Sequence, residues 1–195
     1  MAGDGAIRTS RPSREDLAAS YGTTIPDLVG PQMRVLLVGI NPSLYSGWSG
    51  THFARPGNRL WRTLLEAGFT AHLLHPSESD AILAAGLGIT NLVARATARA
   101  DELSDDEVRA GVEPLRALVR RCRRRWAGPT HVAILGVSAY RVAFGRPKAT
   151  VGAQELELEG AAVWTLPNPS GLNAHYQQPA LTAAYAELRR AAFRT

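Results

Sequence analysis

Two stretches of the chain share one tripeptide: "VGINPSL" at 38–44 and "LPNPSGL" at 166–172, each directly following an apolar run. A residue in front of proline is kept out of the helical region, so Asn41 and Asn168 are expected to be extended at strand ends, their side chains projecting from stiff backbone. A carboxamide donates and accepts hydrogen bonds at once. It can align a water molecule or match the mixed donor and acceptor edge of a nucleobase, but it cannot act as a strong base. Asn-Pro also forms turns, and capping a turn is the competing reading for each copy. Two copies at equivalent strand ends weaken that reading. Between them lie "THFARPGNRLW" (51–61), which brings Phe53 with His52 beside it, expected at the rim of a pocket, and "GITNLV" (88–93), which brings a third carboxamide, Asn91, to the end of another apolar run.

The elements that must position these groups follow from pattern. "MRVLLVGI" (33–40) is continuous, branched and closed by turn residues, which predicts a buried strand. A loop rich in Gly and Ser runs to residue 57. Asn58 then caps a helix, "RLWRTLLEA", closed by Gly68, with Leu60, Trp61, Leu64 and Leu65 as its apolar face. A weaker helix at 78–85 leads to a second buried strand at 88–93. "SDDE" (104–107) is a capping-box start for a long helix that ends in "RRCRRRW", where cations meet the negative end of the helix dipole, and Pro114 is expected to kink it. "THVAILG" (130–136) predicts a third strand, followed by a short helix over "SAYRVAF". "AQELELEGAAVWTLP" reads as two strands about Glu159-Gly160, the first half exposed and the second buried. Pro179 sits where a first-turn proline opens a last helix ending near Phe193. Strands separated by helices imply a mostly parallel sheet covered on both faces, with ligands beyond the carboxyl ends of the strands. Both Asn-Pro-Ser copies fall at that edge.

Composition narrows the function classes. A chain of 195 residues, 45% hydrophobic and 20% charged, fits one domain; residues 1–30 read as an irregular lead-in and 31–195 as the folded unit. The apolar runs are too short to span a membrane, and the first thirty residues lack the apolar stretch of a secretory signal, which points to the cytoplasm. Cys122 is the sole cysteine, which excludes an intramolecular disulfide, a CxxC zinc site and a four-cysteine iron–sulfur cluster. His72, His75 and His131 show no metal-ligand spacing, so neither a metal nor any other cofactor is expected. The net charge of +5 is almost wholly arginine, Lys148 being the sole lysine. Arginine's planar donor pairs suit phosphate, while an arginine-heavy composition explains the charge equally well. The run Arg120–Arg125 reads as solvated residues at a helix end. Trp61 and Trp164 read as core, and Trp48 as either core or loop.

Taken together, "GINPS" (39–43), "FARPGNRLW" (53–61), "GITNLV" followed by "RAT" (88–97), "AILG" (133–136) and "LPNPSGL" (166–172) resemble the mismatch-specific uracil-DNA glycosylases, the thymine-DNA-glycosylase-like branch of the uracil-DNA glycosylase superfamily. The likeness runs from about residue 33 to 190. It implies a three-layer α/β/α sandwich around a central mostly parallel sheet, and a monomeric, cofactor-free enzyme that extrudes uracil from double-stranded DNA and hydrolyses its bond to deoxyribose. The substrate would be duplex DNA carrying uracil or a mismatch, especially uracil opposite guanine, and the enzyme would be associated with the nucleoid.

By that resemblance Asn41 positions the attacking water and Phe53 stacks on the extruded base. The backbone from Ile40 onwards adds base contacts, and Asn168 belongs to the same pocket. "NPSGL" looks like the intercalation loop, with Leu172 as the apolar wedge, Ser170 on a phosphate, and Gly171, Asn173 and His175 facing DNA. Asn173, Ala174 and His175 depart from the Ser-Arg that commonly follows this leucine. Ser43 replaces a frequent glycine and, with Tyr45 and Ser46, either narrows the pocket near the base's C5, favouring uracil over thymine, or merely makes a turn. Asn91 stands where some relatives carry lysine and other branches use Asn to read uracil; it either pairs with N3–H and O4 or ends a strand. The lone lysine, remote from both motifs, argues against a Schiff-base lyase. Two other readings remain open: a non-catalytic nucleic-acid-binding protein of the same fold, and a glycosylase for another deaminated or alkylated base.

Overall fold

The computed structural model describes residues 11–171 and 176–193. Five strands form one sheet: β1 (Val35–Gly39), β2 (Leu87–Asn91), β3 (His131–Leu135), β4 (Gly152–Leu158) and β5 (Ala161–Leu166), in the spatial order β2-β1-β3-β5-β4. The helices are α1 (Arg14–Ala19), α2 (Leu44–Ser49), α3 (Leu60–Glu66), α4 (Ser79–Ala84), α5 (Asp105–Ala110), α6 (Val112–Trp126), α7 (Val137–Phe144) and α8 (Gln178–Ala192). β1, β2, β3 and β5 run parallel, and their shared register sets the chemistry-bearing ends level: Gly39 lies opposite Asn91, and Leu135 opposite Leu166.

The run at 35–39 is buried throughout because it packs on both faces, and side chains alternate across a strand. Val35 and Leu37 join Leu60, Trp61 and Leu64 of α3, Ile82 of α4, and Leu181, Tyr185 and Leu188 of α8. Leu36 and Val38 join Val108 of α5, Leu115, Leu118, Val119 and Cys122 of α6, and Tyr140 of α7. The outcome is the expected three-layer sandwich around a mostly parallel sheet. β4 is antiparallel at one edge, joined to β5 by a two-residue turn in which Glu159 and Gly160 have φ of 53° and 77°. Glu155 and Glu157 point outward from it, a charged edge that discourages pairing with another chain. Among the described residues no helix is long and apolar enough to cross a membrane.

Three local expectations differ from the structure. The 43–49 stretch, read as loop, holds α2, because Ser43 caps it by accepting from the Ser46 N–H at 3.2 Å. The long helix after Ser104 breaks at Gly111 into α5 and α6 instead of kinking at Pro114. Pro114 falls in the first turn of α6, where its missing N–H has no intrahelical partner to lose. The lead-in is not wholly irregular. Ser13 and Asp16 form a capping box for α1, and residues 22–28 run alongside the sheet: Gly22 N–H donates to Ala96 O at 2.9 Å, Ala96 N–H to Thr23 O at 2.8 Å, and Leu28 bridges Ile89.

Candidate active site

Beyond the carboxyl ends of β1, β2, β3 and β5 lies a cavity of about 520 Å³. That is a size suited to a small planar ligand, at the edge where open α/β sheets bind theirs. Ile40, Asn41, Ser43, Ser46, Phe53, Asn91, Asn168 and Ser170 all line it, so the two distant Asn-Pro-Ser copies do meet at one mouth. Asp and Glu are absent from its described lining.

Asn41 follows β1 and is fixed through its amino group. Nδ2 donates to Arg95 O at 3.1 Å and to Thr97 Oγ1 at 2.7 Å, while the Thr97 hydroxyl donates onward to Arg99 O at 2.7 Å. Both amide hydrogens are thereby committed, which assigns the nitrogen and leaves Oδ1 without a partner among the described residues. The loop that receives them is fastened twice. Thr97 N–H donates to Pro42 O at 3.1 Å, and the Arg95 guanidinium grips Glu107 with bonds of 2.7 and 3.1 Å.

That grip holds the Glu107 carboxyl at a pKa of about 2, through the hydrogen bond from Arg95 first and the Ser104 N–H next. A depressed carboxylate contributes stability above its ordinary range near 4.5, lost as pH falls towards 2. Glu107→Gln should therefore lower the thermal midpoint at pH 7, and the gap from wild type should shrink as both are taken from pH 4.5 towards 2. Melting curves across that range check it; a gap that does not change with pH would mean the carboxylate charge is not what holds Arg95.

Phe53 has a φ of 51°, a left-handed conformation uncommon for a residue with a side chain. Two bonds hold it there: Trp61 Nε1 of α3 donates to Phe53 O at 3.2 Å, and the next N–H, of Ala54, donates to Ser46 Oγ at 3.3 Å. Trp61 is thus core and bracket together. Gly39 is what lets the ring approach. A Cβ there would overlap Asn91 Oδ1 and stand 3.1 Å from Phe53 Cζ.

Asn91, at the end of β2, donates from Nδ2 to His52 Nδ1 at 3.4 Å, and His52 Nε2 lies 2.9 Å from Pro26 O. His52 is 7% exposed, and burial lowers its pKa. It is a buried wall residue, deeper than the rim position its sequence context suggests. Asn168 accepts the Ser170 N–H on Oδ1 at 2.9 Å, so at this copy the turn reading holds alongside cavity lining. Ser43 likewise caps α2 and also lines the cavity. Tyr45 is not among the lining residues; its ring meets Trp48 edge-on with centroids 5.6 Å apart. Trp48 is 8% exposed and belongs to the core. Gly171 sits beside Gly57 O, outside the lining, and Leu172, Asn173 and His175 lie outside the described residues.

Several contributors escaped the sequence reading. Arg59 donates from Nη2 to Ser170 O at 3.0 Å and from Nη1 to Tyr176 O at 2.6 Å, one residue on each side of the 171–175 stretch, and its N–H donates to Pro169 O at 3.0 Å. Asn58 accepts the Leu60 N–H at 2.9 Å, but the residue at the cap position of α3 is Arg59 itself, and its place next to the expected Asn58 cap is the signal it left. Ile25 and the Pro26 carbonyl come from the lead-in, which polar composition disguised. Arg55 and Arg99 are exposed on the rim, the Arg99 guanidinium paired with Asp101, and the first turn of α7, Val137 to Ala139, offers N–H groups to the same cavity. The arginine run of α6 is engaged outside the cavity: Arg120 pairs with Glu159 at 3.0 Å and Arg123 donates to Pro129 O at 3.3 Å, at the opposite edge of the sheet, while Arg121 reaches Asp27 of the lead-in at 3.8 Å. Among the described residues no group of His, Cys, Asp and Glu converges as a metal site.

Comparison with known proteins bears on the family and the fold. Residues 26–189 match the family described as the Uracil DNA glycosylase superfamily. The fold is similar to the solution NMR structure of a protein from Methanosarcina acetivorans titled "putative Uracil DNA glycosylase", with a TM-score of 0.56 and 16% identity over 86% of this chain and 98% of that one.

Proposed function

The chain belongs to the uracil DNA glycosylase superfamily, and from that premise we propose that it is a monofunctional glycosylase of the mismatch-specific, thymine-DNA-glycosylase-like branch. It hydrolyses the bond between deoxyribose and a uracil flipped out of duplex DNA, above all uracil opposite guanine, and it works as a monomer on cytoplasmic, nucleoid DNA. One observation carries the reading: Asn41 spends both amide hydrogens on Arg95 O and Thr97 Oγ1, which leaves Oδ1 without a partner among the described residues, in the wall of a cavity that Phe53 also lines.

The chemistry follows from that geometry. A flipped base stacks on Phe53, and Asn41 Oδ1 accepts a hydrogen bond from a water and aims its lone pair at C1′. As the glycosidic bond lengthens, the sugar becomes oxocarbenium-like and the electron pair goes to uracil N1. Fixed N–H donors stabilise the anion, water then bonds to C1′, and the proton that it sheds passes through solvent to the departing uracil anion. With no carboxylate in the described lining, general-base help is missing, an effect worth roughly 10²-fold or more, so slow turnover is expected. The loop at 168–172 keeps the duplex open, with Ser170 on a phosphate and Leu172 filling the gap. Arg55 attracts the backbone.

Single-turnover base release from matched oligonucleotides, carrying uracil opposite guanine, opposite adenine or in a single strand, tests this. Release led by the guanine pair is expected. Equal release from all three would remove the mismatch dependence. No release with DNA binding intact would redirect the site to another deaminated or alkylated base, or to a non-catalytic role.

A further inference from the structure

The hydrogen-bond chain from the lead-in to Asn91 has a fixed polarity. Pro26 O can only accept, so His52 Nε2 must carry the proton that bonds it at 2.9 Å. In a neutral imidazole Nδ1 is then an acceptor, and the atom facing it at 3.4 Å must be the amide nitrogen of Asn91. Burial favours the neutral ring by lowering the pKa of His52, against the Pro26 hydrogen bond and then the charge of Asp27, which both favour the protonated form. The amide of Asn91 is therefore held in one of its two orientations, with Oδ1 over Gly39 beside Phe53 and its second N–H uncommitted among the described bonds.

We propose that His52 is the residue that sets base specificity: by locking the amide of Asn91 it presents an acceptor and a donor that fit uracil N3–H and O4 and oppose the reversed edge of cytosine. The lead-in is part of the device, because the carbonyl that selects the tautomer is its own. This inference rests on the uracil reading above and adds to it a positioning residue that does not itself touch the base.

An uncleavable duplex containing 2′-fluoro-deoxyuridine opposite guanine and the same duplex with an abasic analogue separate base reading from general DNA affinity. Wild type should prefer the uracil duplex. His52→Leu should reduce that preference by about tenfold or more, while affinity for the abasic duplex stays within about twofold, because only the contacts to the base depend on the amide orientation. His52→Gln, which retains a donor and an acceptor, should restore part of the preference. In an Asn91→Leu background the effect of His52→Leu should vanish, as it must if His52 acts through Asn91. A wild-type preference that survives His52→Leu, or an undiminished effect without Asn91, would overturn the role of His52. Absence of any uracil preference in the wild-type protein would overturn the uracil reading instead. Nitrogen-15 NMR of the wild-type imidazole at pH 7 decides the tautomer without any variant: protonation at Nε2 is expected, and protonation at Nδ1 would overturn the chain.

Discussion

Asn41→Ala is expected to slow single-turnover release of uracil by on the order of 10²-fold or more, with duplex affinity changed by less than about threefold. The separation follows from what the side chain touches. Its amino group is consumed inside the protein by Arg95 O and Thr97 Oγ1, leaving only the carbonyl oxygen to act on water, so its removal takes away a transition-state contact and little ground-state binding. Asn41→Asp sharpens the point. A carboxylate would set an oxygen against the Arg95 carbonyl, acceptor to acceptor, so the added base strength should come with a misplaced or protonated group. Excision by that variant should stay below wild type near pH 7. Rates for both variants with affinities measured in parallel check this; an Asn41→Ala protein that excises normally would take water positioning away from this residue.

Arg59→Ala should have the second-largest effect, and it should depend on the strandedness of the substrate. The guanidinium bonds Ser170 O and Tyr176 O, so it ties both sides of the 171–175 stretch, in which we propose the wedge, to the start of α3. Without it both carbonyls lose a charged donor, which should reduce stability by about 1–3 kcal/mol. Uracil release from duplex should fall by about tenfold or more, because an unanchored loop cannot hold the stack open. Release from a single strand needs no wedge and should change by less than about threefold. Arg59→Lys should not rescue, since one ammonium lacks the planar fork that spans two acceptors. Equal losses on both substrates would assign Arg59 to the pocket instead of the loop.

The parallel core was legible because its signal is local: an unbroken branched run such as 35–39 can be satisfied only between two packed faces. Ser104 with Glu107, and Glu159-Gly160, were legible for the same reason. Asn41, Asn168 and Asn91 could be brought together because strand ends in a parallel sheet share an edge, whereas Phe53, in a loop beyond α2, was expected there only from the family resemblance. What stayed hidden was non-local. Thr97 matters because a loop after β2 returns beside Asn41, and no spacing reports that. His52 reads as a rim residue until its two ring nitrogens are seen bound to Pro26 and Asn91. Ser43 and Asn168 show the reverse case, in which residues in the cavity wall also do the ordinary work of ending turns.

The strand-like course of residues 22–28 beside β2 has a practical bearing on how the protein is handled. A boundary at residue 31, natural from composition, would trim away Ile25 and the carbonyl that meets His52, while sparing every strand and the main core. Such a fragment would keep the strands yet lose Leu28 and Val29 from the margins of the two core clusters and have a breach in the side of its binding chamber. A shortened version intended for engineering should keep everything from Ser13 onwards, and a fused tag belongs upstream of that capping residue.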